Sequence, residues 1–215
     1  MGYHLAGFDV VGVDIEPQPN YPFEFWQEDA IGVLRIAKTG GLLWDGGPFD
    51  AIHASPPCQH YSEMSRCQPG LAATYPDLVA PVRELLIATG TPWVIENVPG
   101  APMAGASDLF GNHGTTLCGT MFGLRVYRHR LFECSFPVEA PGQCNHSRRA
   151  WNPHNVAGRK AMNDEGMTGD VEIPWRNELG VGWMGRYEAR EAIPPAYTEF
   201  IGTQLLAHLA VPATP

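Results

Sequence analysis

Apolar positions in the first half of the chain follow two alternating rhythms. Phe8 to Ile15 (FDVVGVDI), Phe49 to Ala54 (FDAIHA) and Pro92 to Val98 (PWVIENV) are short runs of β-branched and aromatic residues. The second is stopped by Ser55-Pro56-Pro57 and the third by Pro99-Gly100, so each reads as a strand with a defined end. A helical stretch is expected before the first. Between the last two, Leu78, Val79, Val82, Leu85 and Leu86 recur at helical spacing within Asp77 to Thr89, and Gly90 follows. Strand, crossover helix and strand predict a parallel sheet. Beyond Gly100 the pattern weakens: Gly105 to Gly123 is rich in small residues and turns. Cys134 to Gly185 is polar, rich in Gly and Asn, and lacks periodicity, which predicts a small irregular lobe. Order returns at Glu188 to Ile193 and in an amphipathic closing helix over Tyr197 to Ala210, carried by Phe200, Ile201, Leu205, Leu206 and Leu209.

At 215 residues the chain suits one well-cored domain with a small lobe. Gly 24 and Pro 20 make about a fifth of the sequence, which argues against a helical bundle. No apolar run approaches the ~20 residues of a bilayer span, and no charged segment with an apolar core opens the chain, so a soluble protein with no membrane partner is expected; a cytoplasmic location and a monomeric state are the further expectations. Five cysteines form no dense framework and read as reduced thiols.

Charge changes the picture locally. The net charge of −9 speaks against a general nucleic-acid binder. From Arg125 to Lys160, however, seven Lys/Arg face only Glu133 and Glu139, so that window carries +5 and the remainder −14. A polyanion would find that segment attractive.

The strongest chemical signal is Ser55-Pro56-Pro57-Cys58-Gln59-His60-Tyr61-Ser62. A cysteine just beyond a parallel strand sits where open α/β sheets bind ligands, and two prolines stiffen the backbone that presents it. Cys58 is a candidate nucleophile. The next strand brings Glu96 and Asn97 to the same sheet edge, where a partly desolvated carboxyl has a raised pKa and can donate a proton.

Taken in order, these segments resemble the cytosine-C5 DNA methyltransferase family. SPPCQHYS is similar to its Pro-Cys nucleophile loop, WVIENVPG to its Glu-Asn-Val motif and Arg128-His129-Arg130-Leu131-Phe132 to its Arg-x-Arg motif. Ala196 to Gln204 (AYTEFIGTQ) resembles its final motif, with Gly202-Thr203 where the family often has Gly-Asn-Ser. The resemblance implies a Rossmann-like α/β fold that uses S-adenosylmethionine, over residues 1–132 and 186–215, with residues 133–185 as a short target-recognition region of a phage-type or restriction-modification enzyme acting on DNA. It implies catalytic roles for Cys58, Glu96, Asn97, Arg128 and Arg130. It places the cofactor against Asp14, Ile15, Asp29, Pro56, Gly202 and Thr203. The family's first motif, a strand and glycine-rich loop, would precede Gly2 and lie between the strands at Phe8 to Ile15 and Phe49 to Ala54. Its absence implies either a start upstream or a defective remnant that retains DNA affinity. A cysteine hydrolase using Cys58 and a histidine is a lesser alternative, because neither His53 nor His60 has an evident orienting acid; an RNA or free nucleotide substrate is a further variant.

Cys118, Cys134, Cys144 and His146 offer metal ligands, with a Cys-x-His pair at the end, but the spacing matches no familiar finger and no metal is expected. Trp151, Trp175 and Trp183 are expected to pack the lobe rather than stack on bases.

Overall fold

The computed structural model describes residues 1–40, 47–62, 67, 70–103 and 113–211, and these form a mixed α/β protein. Helix α1 (Gly2–Ala6) leads into β1 (Val11–Asp14), followed by β2 (Glu24–Gln27), α2 (Ala30–Ala37) and β3 (Ile52–Ala54). Then come α3 (Val79–Thr89), β4 (Trp93–Asn97), β5 (His113–Leu117) and β6 (Arg130–Cys134). The chain closes with α4 (Val156–Asp164), α5 (Glu172–Glu178), α6 (Glu188–Glu191) and α7 (Pro195–Leu209).

Strands β1 and β2 pair in parallel, and a second sheet has the order β3-β4-β6-β5. The expected crossover is present: β3 and β4 are parallel and α3 joins them, ending on Gly90, whose left-handed φ of 68° closes the helix. Strand β6 then enters antiparallel between β4 and β5. The two sheets are not hydrogen-bonded to each other among the described residues, so β1 and β3, the strands between which the resemblance puts a further one, remain unjoined.

Strand β4 is buried along its whole length because both its faces are covered. Trp93 and Ile95 pack with Leu34 of α2 and with Val82 and Leu86 of α3. Val94 points the other way, into a cluster with Phe132, Tyr197, Ile201 and Leu205. A strand buried on both faces reads as a continuous apolar run, which is why this one was legible. On the second face α1 lies tightly on α7. A Cβ at Gly202 would stand 2.9 Å from Ala6 Cβ and 3.0 Å from the Tyr3 ring, and one at Gly2 would stand 2.2 Å from the Pro195 carbonyl oxygen. Only glycine admits that approach.

The lobe corrects the expectation of irregularity. It contains α4 and α5 and has its own core of Val126, Met162, Val171, Trp175, Leu179, Val181 and Ala189. Asn155 starts α4 by accepting a hydrogen bond from the Gly158 amide. Trp175 is buried as expected, and Trp151 lies under the Arg125 guanidinium. The turn-rich segment also hides β5, a Thr-containing strand without an apolar pattern; residues 104–112 of that segment lie outside the described ones.

Candidate functional site

Three strands end at one edge. β3 runs into Ser55-Pro56-Pro57-Cys58, β4 ends in Glu96 and Asn97, and β6, antiparallel to β4, begins there with Arg130. The register pairs Glu96 with Phe132, so Arg130, two residues from Phe132, shares Glu96's face of the sheet. The consequence is an ion pair: Arg130 Nε lies 2.9 Å from Glu96 Oε1, with both side chains largely shielded from solvent.

Cys58 lies in the field of this pair. Burial pushes its thiol above the ordinary range; the Arg130 charge pulls it back down, and Glu96, with Glu191 more weakly, pushes it up again. Glu96 is only 7% exposed. Its carboxyl is also raised, burial outweighing the opposing influence of Arg130, a hydrogen bond from Ser55 and Arg128. Thiol and carboxyl are therefore coupled. A proton on Glu96 removes a charge that opposes thiolate formation, so protonated acid and charged nucleophile favour each other.

Asn97 holds the loop. Its side-chain NH2 donates to the Pro56 carbonyl at 2.8 Å in a buried setting, and its own carbonyl oxygen accepts from the Val98 amide. The Cys58 carbonyl accepts from the Tyr61 and Ser62 amides, which closes the turn behind the thiol. Arg128 is built into the same wall in a left-handed conformation, φ 36°, that a non-glycine residue adopts only under constraint. The constraint is visible: Tyr197 donates its hydroxyl to the Arg128 carbonyl at 2.9 Å, and the Arg128 guanidinium donates to the Arg190 carbonyl. Burial, and secondly Arg130, lower its pKa to about 10, so it stays charged near neutrality.

Among the described residues, two buried polar atoms at this site lack hydrogen-bond partners: Gln59 Oε1, next to the nucleophile candidate, and Arg128 Nε. An acceptor and a donor left unpaired in the wall of a site are what a polar ligand would satisfy. Gln59 was not singled out from the sequence, where nothing distinguishes its amide from any exposed glutamine.

A further set behind the edge was also missed. Tyr3 Oη lies 2.8 Å from His53 Nδ1, His53 Nε2 lies 3.0 Å from Ser55 Oγ, and Ser55 reaches Glu96. Burial lowers the His53 pKa to about 4. With the neutral ring carrying its proton on Nε2, every donor in this chain finds an acceptor, ending at the carboxylate. The signal for it needs the α1–β3 contact, which sequence spacing does not reveal. His53 and His60 are thus committed elsewhere, to Tyr3 and Ser55 and to the Tyr75 carbonyl respectively.

The expected cofactor positions divide. Asp14 and Asp29 lie at the carboxyl ends of β1 and β2, the same kind of edge that carries Pro56 after β3. Asp14 ties the turn after β1, accepting from the Glu16 amide at 2.9 Å and the Gln18 side chain at 3.2 Å; Asp29 caps α2 through the Ile31 amide. Ile15 leaves an apolar side chain 66% exposed beside them, a surface suited to covering by a flat ring. An open hollow of about 560 Å³ runs from Trp26 past Asp29 to Ile36. Of the expected cofactor positions, Asp29 lines this hollow. Gly202 instead serves the α1–α7 contact, and the exposed Thr203 bonds its hydroxyl back to the Glu199 carbonyl.

The basic window is less free than its charge suggests. Arg125 pairs with Glu165, Arg149 and Lys160 share Asp164, and Arg130 holds Glu96. What remains is a cleft of about 360 Å³ whose wall includes Arg128, Arg130, Arg149, Trp151, Asn152 and Asn155, joining the site to the lobe.

No protein-family model matches the chain, and no curated protein matches it. Among solved structures it is similar to a protein encoded within a prophage (E. coli) and described as a candidate DNA modification methyltransferase. The identity is 25%, the match covers 62% of this chain and 41% of that one, and the TM-score is 0.41. The chain therefore spans about two fifths of that protein's length. Among the described residues no helix is long and apolar enough to cross a membrane.

Proposed function

We propose that this chain carries the catalytic site of a DNA (cytosine-5-)-methyltransferase. The observation that carries the reading is the electrostatic coupling of Cys58, Glu96 and Arg130 at one sheet edge, with Asn97 fixing the loop that presents the thiol. Those groups answer a specific chemical difficulty. Cytosine C5 is a weak nucleophile until the ring is activated.

The Cys58 thiolate bonds to C6 of the ring, and the electron pair displaced toward N3 takes the proton held by Glu96. Arg130 favours both the thiolate before addition and the Glu96 carboxylate after proton transfer. Arg128 and Gln59, with one unpaired polar atom each, line the space where the base's polar edge would lie. When bound, S-adenosylmethionine supplies a methyl group on a positively charged sulfur, an electrophile for the C5 that addition has made enamine-like. Loss of the C5 proton to a base, expulsion of the Cys58 thiolate and return of the N3 proton to Glu96 restore the neutral aromatic ring. In duplex DNA the target must first leave the stack, at a cost of a few kcal/mol. The cleft that continues from Arg128 and Arg130 into the lobe is where phosphate contacts would offset part of it, with Arg149 at its wall exchanging its Asp164 partner for the phosphate.

Addition of the thiolate makes the C5 hydrogen exchangeable even without a methyl donor. Duplex DNA tritiated at cytosine C5 should therefore release tritium to water in the presence of the protein. Cys58→Ser should abolish release, and Glu96→Gln should slow it by ~10²-fold or more. Release that persists in Cys58→Ser would falsify the covalent step, and DNA binding with no release by the wild-type chain would mark a binding protein rather than an enzyme.

A further inference from the structure

We infer that the protein holds one structural zinc ion at Cys118, His129, Cys144 and His146. The ligand atoms of these four side chains all lie within 4.8 Å of one another. Cys118 Sγ is 3.4 Å from His146 Nε2, and Cys144 Sγ is 3.7 Å from His129 Nε2. A tetrahedral zinc with bonds of ~2.3 Å to sulfur and ~2.0 Å to nitrogen separates S from N by about 3.5 Å. The observed separations bracket that value. Two thiols and two imidazoles form a set that selects zinc over the oxygen-seeking cations, and four protein ligands leave no open position for catalysis.

The fold builds this set from two directions. Leu117 pairs with Arg130 in the β5–β6 ladder, so Cys118 and His129 extend the register by one step and stand opposite each other at the hairpin's mouth. The Gly119 amide donates to the Tyr127 carbonyl just beyond them and keeps the mouth closed. Cys144 and His146 come from the 21 residues between β6 and α4, a stretch with no helix or strand of its own. A connection of that length inside a compact unit needs fastening.

Supporting contacts orient the ligands, as second-layer partners of metal sites do. Thr120 Oγ1 lies 3.3 Å from Cys118 Sγ and accepts a hydrogen bond from the Asn145 amide, tying both halves together. The His146 ring stacks on Tyr127 at 4.1 Å, and Tyr127 donates its hydroxyl to the Arg148 carbonyl at 2.8 Å. Cys134, a candidate by spacing, is excluded: it is wholly buried in β6 among Val94, Phe132 and Ile201. His129 takes its place, a residue hidden in the sequence by the arginines on either side. The position matters, because a metal at His129 fixes the backbone between Arg128 and Arg130, the two guanidiniums of the candidate site.

The test begins with the intact chain purified reduced from zinc-supplemented culture, its metal content measured by inductively coupled plasma mass spectrometry after gel filtration. About one zinc per chain is expected. Replacement by Co²⁺ should give the visible absorption of a tetrahedral ion with thiolate charge transfer, and X-ray absorption at the zinc edge should fit two sulfur and two nitrogen neighbours. Cys118→Ser and Cys144→Ser should each lower zinc occupancy by ~10-fold or more, whereas Cys67→Ser, at an exposed thiol outside the cluster, should leave it unchanged. Wild-type protein with less than ~0.1 zinc per chain and no thiolate-to-Co²⁺ absorption overturns the inference. So does zinc that survives loss of both cysteines, or a Cys118–Cys144 disulfide in the mass of the freshly isolated protein. The wild-type measurements decide the matter even where a cysteine variant fails to fold.

Discussion

A single thiol reports the arrangement of the candidate site. Burial raises the Cys58 pKa, Arg130 lowers it and Glu96 raises it. Two substitutions should therefore move it in opposite directions. Arg130→Gln removes the charge that favours the thiolate, so the midpoint of alkylation by iodoacetamide should shift to higher pH. Glu96→Gln removes a charge that opposes the thiolate, so its midpoint should shift lower. Mass spectrometry of the Cys58 peptide resolves the reaction from that of the exposed Cys67. Shifts of the same sign in both variants would mean that the acid and the guanidinium do not flank the sulfur. Cys58 and Glu96 were legible in the sequence because each stands at or just beyond the end of an apolar run that stops abruptly, and Arg130 was legible only through its Arg-x-Arg motif. Ser55, His53 and Tyr3 were not, since their hydrogen-bonded chain depends on where α1 comes to rest.

At the scale of elements, α3 is fastened to β6 by a contact that the sequence showed only as two charges. Arg83 donates through Nε to Glu133 Oε1 at 2.6 Å and through Nη2 to Oε2 at 2.8 Å, with a further bond to the Pro102 carbonyl at 2.9 Å. Glu133 is 1% exposed, so the pair is shielded from solvent on its carboxylate side. Arg83→Met should destabilise the protein by about 3–5 kcal/mol, because it removes one member of a buried ion pair. Removing both members with Arg83→Met and Glu133→Gln should recover a large part of that loss, and urea unfolding of the two single variants and the double variant measures the coupling. The elements most easily predicted, α3, β4 and α7, are those whose apolar positions face two layers or form a full stripe. Strand β5 (HGTTL) and the short helices of the lobe carry few apolar residues each; Leu117 of β5 packs into the cluster of Val94, Phe132 and Tyr197, while the lobe helices pack jointly around Trp175.

For the molecule as a whole, the basic window shows how composition misleads: pairing with Glu165, Asp164 and Glu96 leaves much of it bound within the chain. The hydrogen-bonded chain behind the site has the opposite character, because it makes global stability depend on pH through one neutral ring. Burial lowers His53 to about 4, whereas an unfolded histidine titrates near its ordinary value of 6.5. Between those limits the unfolded chain takes up a proton that the folded chain refuses. The stability carried by neutral His53 is therefore complete above pH ~6.5 and is lost as pH falls toward ~4, by about 3 kcal/mol at most. Glu96 acts with the reverse sign. Its raised pKa makes the folded state the better proton acceptor as the solution becomes acid, so it offsets part of the loss. Comparing urea midpoints at pH 7.5 and 4.5 for wild type and His53→Gln separates the two, since Gln removes the titrating ring and leaves the carboxyl. The wild type should lose more stability than the variant over this interval. Equal losses would show that His53 is protonated within the fold, and that the relay from Tyr3 to Glu96 runs through a charged ring.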